Sequence, residues 1–137
     1  MIYVRICACL FISYLGYLQV KEQVATAFSD ASVVKIDGIL NIWASFGMLF
    51  VFSYLGVYFI NEKFSFHLPI GNLNKIGILI IIVIAPMLST ATYVQSNSNV
   101  SGYIECKNER KLSSRYSSRT YAISSELCTK IAHRKGT

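Results

Sequence analysis

Charged residues are scarce in this sequence. Asp, Glu, Lys and Arg make up 15% of its 137 residues, whereas 53% of the residues are hydrophobic. Soluble domains average about 25% charged residues, so this composition disfavours an ordinary soluble enzyme. The high hydrophobicity also excludes a disordered chain, because such chains stay unfolded for lack of apolar surface to bury.

Known catalytic patterns are missing as well. The sequence contains no GxSxG, HExxH, CxxC, P-loop or GxGxxG pattern, each of which links a residue spacing to a chemistry. No carboxylate or histidine interrupts residues 38–61 or 76–94, the two longest apolar stretches. Proton and ion pathways across membranes normally need such groups. We therefore predict a protein that is not an enzyme and uses neither a cofactor nor a small-molecule substrate.

The gaps between charges predict where the chain crosses a membrane. Residues 38–61 are 24 consecutive residues without Asp, Glu, Lys or Arg. As a helix they would extend about 36 Å, which exceeds the hydrocarbon thickness of about 30 Å. We predict one transmembrane helix over residues 38–60 and another over 76–94. In the latter, Pro86 removes a backbone donor and predicts a kink, which requires a neighbouring group to satisfy the freed carbonyl.

Residues 2–20 form a third apolar stretch, with Arg5 near its start. We predict a retained transmembrane helix in which the Arg5 side chain extends to the lipid headgroups. A cleaved signal peptide is the alternative, with Ala25-Thr26-Ala27 as the cleavage site. The single basic residue and the polar Lys21-Glu22-Gln23 segment favour the retained helix. The sequence thus divides into a transmembrane region, 1–94, and a polar tail, 95–137.

The positive charge is concentrated in the tail. Residues 95–137 hold eight Lys or Arg and three acidic residues, a net +5 of the total +6. The positive-inside rule alone would favour a cytoplasmic tail. However, Lys107, the first cation of the tail, lies 13 residues beyond Val94, and the charges close to the membrane are nearly balanced.

The four cysteines decide the predicted orientation. Cys7 and Cys9 lie in the first apolar stretch and are interpreted as small apolar residues. Cys106 and Cys128 lie in the tail, where a disulfide would stabilise a small module by about 3 kcal/mol and would persist in an oxidising compartment. A zinc site needs four ligands, and the tail adds only His133. We predict a disulfide, no metal, a periplasmic tail and a cytoplasmic N-terminus.

The segment SSRYSSRTY, Ser113 to Tyr121, is the most distinctive part of the tail. It alternates Arg115, Tyr116, Arg119 and Tyr121, and these residue types are enriched at protein-interface hot spots. We predict that the four residues bind a protein partner; a solvated basic loop held by the disulfide is the alternative interpretation. Nucleic acid is not an expected partner for an exported tail. After this segment, Ser124 or Ser125 is predicted to begin a short helix that Gly136 ends.

Taken together, two or three apolar spans followed by this tail resemble a family of small enterobacterial inner-membrane proteins, an uncharacterised family with a domain of unknown function. The tail carries the resemblance through GYIEC, Gly102 to Cys106, through SSRYSSRTY, and through ELC, Glu126 to Cys128. The family has no established activity, and no binding residue carries over from it. The resemblance implies an immunity role against the exported toxin of a competitor.

We therefore expect an all-α membrane protein with three transmembrane helices and a small disulfide-stapled extramembrane module. The expected function is that of a multi-pass inner-membrane immunity protein, which neutralises a cognate toxin by direct contact. Its expected partners are a protein and the lipid bilayer. Two alternatives remain open: a holin-like pore-forming protein, and an accessory subunit of a larger membrane complex.

Overall fold

The computed structural model describes residues 1–136, and three of its helices are long and apolar enough to cross a membrane. Helix α1 comprises Ile2–Ala27 and α2 comprises Ile39–Phe64. The third apolar helix, Leu73–Asn99, consists of α3 (Leu73–Leu79), a π-helical turn (Ile80–Ile84) and α4 (Ala85–Asn99). The prediction of three membrane-length helices is confirmed, and their number and hydropathy indicate a multi-pass membrane protein.

Contacts divide the chain into two compact units. We call the first the helical unit; it contains Met1–Lys21 and Trp43–Ser89. We call the second the sheet unit; it contains Glu22–Ile42 and, within the described residues, 90–136. Each of the apolar helices contributes residues to both units.

Small residues bring α1 and α2 together in the helical unit. The hydroxyls of Ser13 and Ser53 lie 2.5 Å apart. A Cβ atom on Gly16 would lie 2.8 Å from the backbone nitrogen of Leu49, so only glycine permits this approach. Ser13 and Gly16 belong to a four-residue string, SYLG, that recurs at 53–56, and the structure uses both copies in helix packing.

The third apolar helix widens just before Pro86. The amide of Ala85 donates to the carbonyl of Ile80, five residues earlier, which is the spacing of a π-helix. At the same spacing the carbonyl of Ile81 would accept from residue 86, but proline has no N–H. The indole Nε1 of Trp43 donates to the Ile81 carbonyl at 3.1 Å instead.

The connection between α2 and α3 has the turn chemistry that its sequence indicates. Gly71 has a φ of 78°, which few other residues adopt. The side chain of Asn72 accepts hydrogen bonds from the amides of Asn74 and Lys75 and so caps α3. The hydroxyl of Tyr54 on α2 donates to the Ile70 carbonyl at 3.1 Å, which holds the turn against that helix.

The sheet unit contains a small antiparallel sheet, so the expectation of an all-α protein is wrong. Its strands are β1 (Val33–Asp37), β2 (Ile104–Glu105), β3 (Lys111–Leu112) and β4 (Ser117–Ala122). Strand β4 is central: β1 pairs with one edge, and β2 and β3 also pair with β4. The interpretation of SSRYSSRTY as a solvated loop is therefore wrong for its second half.

Both faces of the sheet bury side chains. Val34 and Ile36 of β1 pack with Val100 and with three half-buried tyrosines: Tyr93, Tyr103 and Tyr121. Along β4 the opposite face is buried, through Ser118, Thr120 and Ala122. The alternation of buried and exposed positions follows the two-residue period of a strand.

The final helix of the described chain, α5 (Ser125–Lys135), is fastened at two points. The predicted disulfide joins Cys106 to Cys128, with their Cα atoms 5.3 Å apart. Lys135 forms an ion pair with Glu109, which lies in the 3₁₀ turn after Cys106. Ser124 precedes the helix and Gly136 ends it, so the predicted short helix is confirmed.

Candidate functional site

The turn between β3 and β4 carries Arg115 and Tyr116, two of the predicted contact residues. Ser113 closes this turn: its amide donates to the Tyr116 carbonyl at 2.9 Å, and its Oγ accepts from the Tyr116 amide at 3.0 Å. Arg115 is exposed, and its side chain has no hydrogen bond or ion pair to any described residue. Two crossed hydrogen bonds thus hold a turn whose guanidinium points to solvent.

Tyr116 connects the turn to β1. Its hydroxyl donates to Oδ1 of Asp37 at 2.9 Å. The Nζ atom of Lys35 lies 5.3 Å from the centre of the Tyr116 ring, within the range of a cation–π contact. Gln23 Nε2 also donates to Oδ2 of Asp37, at 3.4 Å. The turn is therefore fixed by a strand that precedes it by about eighty residues.

This contact changes the electrostatics of β1. The pKa of Lys35 is raised, first by its hydrogen bond with Tyr116, with burial acting in the opposite direction. The nearby charges of Asp37 and Glu22 raise it further. Lys35 therefore stays positively charged at all physiological pH values and balances the carboxylate of Asp37.

Arg119 and Tyr121 lie on one face of β4. They are two residues apart in a strand, and Arg119 is exposed while Tyr121 is half-buried in the core. The pKa of Arg119 is raised, chiefly by its hydrogen bond with Tyr121, although burial opposes this. The structure thus separates the four predicted residues into two pairs, Arg115 and Tyr116 in the turn, and Arg119 and Tyr121 on the strand.

The face of β4 with Arg119 and Tyr121 borders a cavity of about 170 Å³. The start of α2, at Gly38 and Ile39, forms one side of it, and Tyr93 and Asn97 of α4 form another. A Cβ atom on Gly38 would lie 1.9 Å from Oγ of Ser117, so any larger residue where α2 begins would require the Ser117 side chain to rotate away.

The contribution of β1, through Lys35 and Asp37, was not predicted from the sequence. A signal was present: VVKID, Val33 to Asp37, is rich in β-branched residues and ends at Gly38, which is typical of a strand. Within residues 1–136, no group of three or more His, Cys, Asp or Glu side chains is placed to hold a metal ion.

Comparison with known protein families identifies the family of this chain. The model of a family described as "Protein of unknown function (DUF1240)" matches residues 34–129, well over half of the chain. The matched range begins in β1 and includes α2, the third apolar helix and both disulfide cysteines. No curated protein and no solved structure matches the chain.

Proposed function

We propose that this chain, which belongs to the DUF1240 family of proteins of unknown function, is a non-enzymatic immunity protein that neutralises a cognate toxin by direct contact. The observation that carries the proposal is the fixed basic turn at Arg115 and Tyr116. Two hydrogen bonds close this turn and a third connects it to β1. Such a preorganised surface loses little conformational entropy when a partner binds.

The proposed location is the inner membrane of a bacterium, such as an enterobacterium, with the N-terminus in the cytoplasm and the tail in the periplasm. The Cys106–Cys128 disulfide supports this orientation because such bonds persist in oxidising compartments. Alkylation of intact cells with a membrane-impermeant thiol reagent tests it. After reduction, Cys106 and Cys128 should react from outside; protection from the reagent would exclude the periplasmic tail.

The charge of the turn suggests the chemistry of the toxin surface. Arg115 and Lys111 are both exposed cations near the turn, and neither forms an ion pair within the described part of the chain. An acidic patch on a toxin would complement them and would accelerate association at low salt. Tyr116 adds a flat aromatic surface, and Arg119 and Tyr121 complete the proposed contact from the adjacent strand.

Co-expression with the toxin encoded by the neighbouring gene tests the function. The intact protein should restore growth, and Arg115→Ala should weaken this protection, because interface arginines often contribute about 2 kcal/mol or more to binding. Lys130→Ala is the matched control, since Lys130 is an exposed cation of α5 away from the turn. No protection by the intact protein would exclude the immunity role, and equal loss in both variants would exclude this turn as the contact.

An accessory or bilayer-contact role is the second candidate. In the helical unit, α2 and the third apolar helix line two apolar cavities of about 360 and 380 Å³. Gly47 and Gly77 border these cavities, and a Cβ atom on either would meet nothing within 4 Å. This surface favours contact with a helix of a pore-forming toxin or of a larger complex. Stable co-purification of a host membrane protein would support the accessory role. Collapse of the membrane potential on overexpression would instead favour a holin-like pore.

A further inference from the structure

The cavity beside Arg119 combines an exposed guanidinium with aromatic hydroxyls. Arg119 and Tyr121 border it from β4, and Tyr93 borders it from α4. Its volume of about 170 Å³ accommodates a small polar group but no folded element. A guanidinium offers five donors in a planar fork, which suits the oxygens of a phosphate group. The two phenols add further donors around the same space.

The two carboxylates near the cavity either point away from it or interact with other side chains. Asp37 borders it, but Asp37 is paired with Ser118 in the β1–β4 register and so shares the sheet face of Ser118. Because successive strand residues face opposite sides, the Asp37 side chain lies on the face opposite Arg119. Both oxygens of Asp37 accept hydrogen bonds, from Tyr116 and Gln23. Glu105, which is paired in register with Tyr121, lies 3.8 Å from Arg110 Nε. The charge of Glu105 also reaches Arg119 and raises its pKa, but Glu105 does not border the cavity, so Arg119 is the charged side chain that faces it.

The cavity also lies where lipid headgroups are expected. Its walls include the first residues of α2 and the last turns of the third apolar helix, which are the ends of two membrane-length helices. Tyr is enriched at membrane–water interfaces, and a guanidinium pairs well with phosphate oxygens. The first turn of α2 carries no acidic residue that would repel an anion.

We propose that this cavity binds the phosphate of an anionic phospholipid headgroup, with Arg119 as the charged contact and Tyr93 and Tyr121 as hydrogen-bond donors. The proposal rests on the membrane location and not on the immunity role. Such a lipid would fasten the sheet unit to the bilayer surface.

Binding of a short-chain phosphatidylglycerol to the full-length protein in a neutral detergent tests this site. Isothermal titration should give an affinity that falls about tenfold or more in Arg119→Gln, because a charge-assisted hydrogen bond is lost. Arg119→Lys keeps the charge and should retain part of the affinity. Lys130→Gln is the matched control and should bind like the wild type, since Lys130 is an exposed cation of α5 that does not border the cavity.

Two further measurements decide the ligand. A diacylglycerol with the same acyl chains should bind poorly; if it binds as well as phosphatidylglycerol, the headgroup contact is excluded. Inorganic phosphate should compete only weakly; if it competes as well as the lipid, free phosphate is the ligand and the lipid assignment is overturned. Equal loss in Arg119→Gln and Lys130→Gln would indicate nonspecific attraction and overturn the site. An intact Cys106–Cys128 disulfide in each variant, measured by mass, shows that the tail has folded.

Discussion

The indole Nε1 of Trp43 donates a hydrogen bond to the carbonyl oxygen of Ile81, at 3.1 Å. This carbonyl lies in the π-helical turn that precedes Pro86, where the backbone lacks a donor. A polar group without a partner is costly in hydrocarbon, so the bond explains how the third apolar helix accommodates its proline.

Trp43→Phe removes this donor and should destabilise the protein by about 0.6 to 1.7 kcal/mol, the average and the maximum measured for hydrogen bonds between transmembrane helices. Pro86→Ala restores a backbone N–H, so the Trp43→Phe substitution should cost less in that background. Thermal unfolding in detergent, followed by circular dichroism for all four proteins of the cycle, measures the coupling. Additive effects would show that Trp43 does not compensate for the proline.

Gly16→Ala should separate α1 from α2. Its Cβ would lie 2.8 Å from a backbone atom of Leu49, which cannot move aside as a flexible side chain would. We expect a loss of about 1–3 kcal/mol, as for other overpacked sites. Gly47→Ala is the control, because its Cβ would meet nothing within 4 Å. The fluorescence of Trp43, the sole tryptophan, reports unfolding in detergent. Equal stability of the two variants would contradict the close approach.

Cys106→Ser should release α5 from the sheet unit. The disulfide joins two cysteines that are 22 residues apart in sequence. Its loss should lower the free energy of unfolding by about 3 kcal/mol in the chain-entropy model. Amide hydrogen exchange in α5 should then accelerate by roughly a hundredfold. Cys7→Ala, which changes a free cysteine, is the control. Reduction of the wild-type protein should reproduce the effect, and unchanged exchange would show that the ion pair of Lys135 holds the helix by itself.

Tyr116→Phe should lower the pKa of Lys35 towards its ordinary value of about 10.4, because the hydrogen bond that chiefly raises it is lost. A raised pKa in the folded state means that Lys35 contributes stability below its ordinary pKa and loses it as the pH rises through the folded value. Titration of the ¹³C-labelled lysine ε-carbons by NMR measures the shift. Tyr103→Phe removes the hydroxyl that donates to the Ala31 carbonyl and should leave Lys35 unchanged. The same Lys35 pKa in both variants would contradict the Tyr116 contact.

The helices and the disulfide could be predicted because their signals are local or compositional. Charge gaps indicate membrane spans, and a small tail with two cysteines indicates a crosslink. The sheet could not be predicted in the same way. The buried face of β4 consists of Ser118, Thr120 and Ala122, which give a strand no hydrophobic alternation. Its partner β1 lies about eighty residues earlier, and no local pattern reveals that pairing.

The different surroundings of the four candidate residues could not be predicted for the same reason. Arg115, Tyr116, Arg119 and Tyr121 form one short sequence block, but a turn and a strand give them different surroundings. Tyr116 faces Asp37 and Lys35, whereas Arg119 faces the cavity with Tyr93. Whether the four residues bind a partner stays a prediction.

Pairing of β1 with β4 also has a consequence for biosynthesis. Strand β1 leaves the ribosome before α2, and β4 follows only after two further membrane-length helices. Because two crossings return the chain to the side from which it started, both strands reach the same compartment. During translation β1 therefore has no β4 to pair with until nearly the whole chain has been made.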